Sequence, residues 1–256
     1  MNSQFVIPSS DPALLAKARQ TAQAFADPLR IEGVVGIVFL GAVARGYFDP
    51  AADIDIAIFK RRGADLPLKD KFYQVDGFEV QVWLSDYEDE LTSEWDMPRR
   101  WTYAHAQIYH DPQGAAARLI AEKVPLRAEE RKWLVMSGLT LSEWYVNRLT
   151  QLWVERGSLI SAHHMVDQGL LYFYDLLFGL NDALVADMKW RLYCAAQLER
   201  LPERFAERIQ EVMLLRAFTV EELHRRRRAF LGLWEEMKPA AEAAAGMSFA
   251  EMLEVV

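Results

Sequence analysis

Two acids one residue apart, Asp53 and Asp55, open the stretch Asp53-Ile54-Asp55-Ile56-Ala57-Ile58-Phe59. Its period of two is that of a β-strand, whose successive side chains point to opposite faces. Asp53, Asp55 and Ala57 therefore share one face, and Ile54, Ile56 and Ile58 share the other. Carboxylates placed side by side repel, and neither tolerates burial without a partner. A hard divalent cation suits their oxygen donors, and Mg²⁺ working on phosphates is the natural candidate.

The residues just before this strand supply a second chemical feature. Residues 34–40, Val-Val-Gly-Ile-Val-Phe-Leu, form a nearly unbroken apolar run, which predicts a strand buried on both faces. It stops at Gly41, and Gly41-Ala42-Val43-Ala44-Arg45-Gly46 predicts a turn with a short helical middle. Backbone N–H groups left open at such a turn form a place for phosphate.

Gly41-Ala42-(x2)-Arg45-Gly46 followed by Asp53-x-Asp55 resembles the glycine-serine loop and Asp-x-Asp strand of the DNA-polymerase-beta-like nucleotidyltransferase superfamily. The motif resemblance covers roughly residues 30–85. Length and layout are most similar to bacterial small-molecule nucleotidyltransferases with a helical C-terminal half, such as aminoglycoside adenylyltransferases. The family pattern implies a third acid on a later strand, and Glu79 leads one face of the period-two segment 78–84. By that resemblance Asp53, Asp55 and Glu79 hold metal, with Glu79 also placed to take the acceptor proton as general base. Two Mg²⁺ ions about 4 Å apart would serve ATP as substrate. Gly41, Ala42 and Arg45 would contact the nucleotide, and Lys189 would reach the triphosphate from the helical half. The chain departs from the pattern at Ala42 and Ala52, where the family commonly carries serine hydroxyls that help hold the triphosphate.

The expected activity is transfer of a nucleoside monophosphate, AMP from ATP, to a hydroxyl of a small molecule such as an aminoglycoside-like antibiotic. Two alternatives stay open: a nucleotide-binding regulator or toxin-antitoxin partner with little or no turnover, and a transferase acting on RNA or protein.

Composition agrees with an enzyme of this kind. The chain has 256 residues and a formal net charge of -8, which argues against a protein built to grip a polyanion and suits a cationic acceptor better. One cysteine, Cys194, excludes a disulfide framework and fits a reducing cytoplasm. The first eight residues lack a basic region followed by an apolar stretch, so no secretory signal is expected, and no apolar run is long enough to span a bilayer. Nothing in the sequence fixes the oligomeric state.

The elements that must position the acids follow in order. Asp11-Pro12 starts a helix with Leu14, Leu15, Ala18, Ala22 and Phe25 on one face. Lys60-Arg61-Arg62-Gly63 is a charged turn, and Asp76-Gly77 is a hairpin signal leading into the Glu79 strand. Ser85-Asp86-Tyr87-Glu88 reads as a capping box that starts a helix at Ser85. A short strand at 108–110 and a helix at 115–123 close this half. Beyond it, 128–156, 158–179, 183–201, 203–215 and 220–237 can each be written as amphipathic helices. Within them, His163-His164 predicts one packed and one polar histidine, and Arg225 to Arg228 predicts a solvated face neutralised by Glu221 and Glu222. The expectation is an α+β protein: a small mixed-sheet nucleotidyltransferase domain over residues 1–124 and an all-α helical bundle domain over residues 125–256.

Overall fold

The computed structural model describes residues 10–256. The reading of residues 1–8 as free of a secretory signal falls outside that range. The chain folds as two compact units, the first ending at Pro125 and the second beginning at Leu126. The architecture is α+β, as the sequence led us to expect. No helix among the described residues is long and apolar enough to cross a membrane.

The first unit is built on a five-stranded sheet of order β3-β4-β2-β1-β5. Its strands are β1 (Val34–Leu40), β2 (Ile54–Lys60), β3 (Lys71–Val75), β4 (Phe78–Asp86) and β5 (Gln107–His110). β2 and β4 run parallel, whereas β1 is antiparallel to both β2 and β5, and β3 is antiparallel to β4. Every residue of β1 is buried because both faces are covered. Helix α1 (Pro12–Ala26) packs Ala18 and Ala22 onto Ile37, Phe39, Ile54, Ile56 and Ile58. On the opposite face Val38, Leu40, Ala57 and Phe59 meet Trp95, Tyr103 of α4 (Met97–Tyr103), and Ala116 and Leu119 of α5 (Ala115–Lys123).

Local chemistry explains several boundaries. The Asp11 carboxylate accepts hydrogen bonds from Ala13 and Leu14 N–H at 2.9 and 3.1 Å, capping α1. Asp76 and Gly77 both have positive φ, 49° and 86°, which turns β3 back into β4. The helix expected from Ser85 begins later. β4 continues to Asp86, which pairs with Lys60 at the end of β2, and α3 spans Tyr87–Thr92. Cross-strand pairing thus outcompetes the local capping box. The charged turn after β2 is neutralised by the same region, Arg61 pairing with Glu88 and Arg62 with Asp89, at the end of β2 far from Asp53.

The second unit is helical: α6 (Ala128–Trp144), a π-turn (Tyr145–Leu149), α7 (Thr150–Glu155), α8 (Leu159–Leu180), α9 (Arg191–Ala195), α10 (Phe205–Met213), α11 (Val220–Ala245) and α12 (Phe249–Met252). The helix expected at 183–201 is confined to α9. The Asn181 side chain donates to Leu177 and Arg200 carbonyls and accepts from Arg200 N–H, closing the segment as a loop. Side-chain bonds to main chain of this kind displace helical ones.

Helices α6 and α8 touch at Gly138. A methyl group there would lie 2.6 Å from the Leu176 backbone nitrogen, an atom that cannot rotate away. Gly138→Ala is therefore expected to lower stability by about 2 kcal/mol, overpacking outweighing the gain in helix propensity. Urea unfolding checks this, and an unchanged midpoint would show that the helices can separate at no cost.

Candidate functional site

The sheet's topology brings the predicted acids to one end. β1 ends at Leu40 and the chain turns at once into α2 (Gly41–Arg45), while β2 and β4 begin at the same edge. The strand predicted to start at Asp53 starts one residue later, at Ile54, and the parallel ladder opens with Ile54 opposite Val80. Asp53 and Glu79 each stand one residue before that pair, and both line an open cavity of about 590 Å³. Two carboxylates separated by 25 intervening residues become neighbours because the strands are parallel and in this register.

Asp55 takes a different position. It is 9% exposed, opposite Leu40 in the β1–β2 ladder, and its carboxylate is seated against Gly41. A Cβ built on Gly41 would fall 1.8 Å from Asp55 Oδ2, and Gly41 has φ +56°, so only glycine fits. The glycine turn and the second acid are thus one packed unit. Asp55 does not line the cavity.

Two further acids border the cavity that sequence reasoning had not assigned to it, Asp11 and Asp49. Asp49 accepts from the Tyr47 hydroxyl and Ala51 N–H, both at 2.7 Å. The Tyr47 hydroxyl first, and Ala51 N–H after it, hold its carboxyl below the usual aspartate range. The local signal for Asp49 was its Asp-Pro turn, whereas Asp11 looked like a cap and nothing more. Among the described residues four carboxylates border the cavity and no lysine or arginine does.

The remaining predicted residues lie elsewhere. Ala42 packs toward the α1 core. The Arg45 guanidinium lies over the Trp101 ring, 3.7 Å from its centroid, and neither residue lines the cavity. Lys189 belongs to the helical unit and sits exposed in a turn rather than on a helix, its N–H bonded to Asp187 Oδ1 at 3.1 Å. Outside the site, His163 is buried and His164 exposed. The arginine run is not a solvated face: Arg226 is 1% exposed, Arg225 pairs with Glu211 and Glu222, and Arg227 donates to Asn147. The turn of α11 carries Arg226 inward, where carbonyls and Asp167 meet its donors.

The donor set can be tested against a metal. Among the described residues no group of three or more His, Cys, Asp or Glu side chains could hold a metal ion, so a closed protein cage is absent there. Mg²⁺ does not require one: it is ordinarily held by one or two carboxylates and completes its shell with water and substrate phosphate oxygens. Asp53 and Glu79, hard donors on a cavity without a lining cation, fit that mode.

No family model matches the chain, and no curated protein matches it. Among solved structures it is similar to a nucleotidyltransferase-like protein from Exiguobacterium sibiricum. The two share 12% identity with a TM-score of 0.49, over 89% of this chain and 78% of that one. A similarity at that level carries no residue roles across.

Proposed function

We propose that this chain is a Mg²⁺-dependent nucleotidyltransferase that moves AMP from ATP to a hydroxyl of a small-molecule acceptor. The observation that carries the reading is the register that puts Asp53 beside Glu79 at the mouth of an acid-lined cavity, next to the Gly41 turn on which Asp55 is seated. In this reading Asp53 and Glu79 would hold the metal from the cavity and Asp55 from its seat beside Gly41, and Glu79 also takes the proton of the acceptor hydroxyl as it attacks the α-phosphorus. Bound Mg²⁺ would offset the charge that a triphosphate brings to these carboxylates. The chain's own contribution is to hold the reacting groups in line and to place a base on the acceptor side. Gly41 opens the α2 turn that would meet the nucleotide beside these acids. Four cavity acids favour a cationic acceptor, of which an aminoglycoside-like antibiotic is one.

Incubation with α-labelled ATP, Mg²⁺ and a panel of hydroxylated, amine-bearing acceptors is expected to release pyrophosphate and to label a small product. Binding of Mg-ATP without pyrophosphate release in the presence of any acceptor would overturn transfer in favour of a nucleotide-binding regulator. Labelled RNA or protein in place of a small product would overturn the small-molecule acceptor.

A further inference from the structure

Deep in the helical unit, α8 and α11 meet at a histidine and an arginine, each 1% exposed. The Arg226 guanidinium donates from Nε to the Val212 carbonyl at 2.7 Å and from Nη1 to the His163 carbonyl at 3.3 Å, and Nη2 pairs with Asp167. The same Nη1 lies 3.3 Å from His163 Nδ1, and His163 Nε2 lies 3.3 Å from the Thr219 carbonyl. These partners set the tautomer. A guanidinium only donates, so Nδ1 accepts, and a carbonyl only accepts, so Nε2 carries the hydrogen. His163 is therefore neutral, with its lone pair turned to a permanent cation.

The segment 214–219, which joins α10 to α11 without regular structure, hangs on this cluster. Arg225 holds the Leu214 carbonyl, Glu222 accepts from Arg216 N–H, His163 holds the Thr219 carbonyl, and Phe218 packs edge-on to the imidazole at 5.6 Å. Leu214, Leu215 and Phe218 are all exposed, so few apolar contacts anchor the segment.

We propose that His163 is a proton-sensitive latch: protonation at Nδ1 sets an imidazolium against Arg226 in a site closed to water, breaks their contact and releases the 214–219 segment. Arg226 opposes the new charge. Asp167, on the same helix, is already paired with Arg226, and Glu222 is already paired with Arg225, so each acid offers the ring only a weakened attraction. Burial first, and the Arg226 charge with it, hold His163 below the ordinary histidine range, against the opposing pulls of the Thr219 carbonyl and of the Glu222 and Asp167 carboxylates. The sign follows: the latched state keeps its full stability above the ordinary histidine value and loses it as pH falls below that value toward the folded one, by at most tenfold per pH unit for one proton.

Hydrogen exchange tests this, read as protection factors for 214–219 between about pH 7.5 and about pH 5.5. The wild-type chain is expected to lose protection, by up to about tenfold, across that interval. His163→Gln keeps an acceptor for Arg226 and a donor for Thr219 but cannot titrate, and it is expected to hold protection constant. Equal loss in both proteins, or none in the wild type, would overturn the latch. Should the variant fail to fold, the histidine resonances of the wild type decide. Titration of His163 together with loss of segment protection supports the latch, and titration with the segment still protected overturns it.

Discussion

Asp53→Asn is expected to lower AMP transfer by about a thousandfold, the scale seen when one preorganised electrostatic contact to a transition state is lost. The substitution keeps shape and removes charge. Asp53 forms no ion pair among the described residues, stands just before β2 and lines the open cavity, so the fold has little stake in its charge. The unfolding midpoint should stay within about 0.5 kcal/mol of wild type, the range of surface changes away from special features. Pyrophosphate release at saturating ATP and Mg²⁺, read beside urea unfolding, separates the two effects. A variant with wild-type turnover would remove the carboxylate pair from the reaction.

Gly41→Ala should damage both fold and activity, for a reason visible only in the packing. The new methyl group would meet Asp55 Oδ2 at 1.8 Å, and the backbone there is left-handed at φ +56°. The backbone strain alone amounts to about 1–3 kcal/mol. Expelling the Asp55 carboxylate from its seat adds a loss of transfer of about a hundredfold or more. A double-mutant cycle makes the test specific. In an Asp55→Ala background the oxygen that clashes is gone, so Gly41→Ala should cost only its backbone strain and no further activity. Additive losses in both readouts would show that Gly41 and Asp55 act independently.

Arg226 shows how local pattern can mislead. Four consecutive arginines after two glutamates look like a charged helix face, and for Arg225 that holds, since it reaches Glu222 three residues back. At one residue further, 100° around the helix, the same side-chain type points into the unit's interior. Only the neighbours contributed by α8 and the end of α10 make that burial tolerable, by meeting the donors of the guanidinium. The irregular stretch before α9 teaches the same lesson. Its helical periodicity is real, yet the Asn181 side chain bonds both the carbonyl and the N–H of Arg200, nineteen residues on, and closes it as a loop.

What the sequence determined by itself was local: the period-two strands around Asp55 and Glu79, the Asp11 cap, the Asp76-Gly77 reversal and the helix Ala115–Lys123. Each rests on side-chain alternation or on turn and cap chemistry confined to a few residues. Tertiary structure alone decided that Asp53 lies beside Glu79 and that Asp55 rests on Gly41 rather than lining the cavity. Those placements depend on strand order and register, and a shift of one residue would turn every one of these side chains to the other face of the sheet.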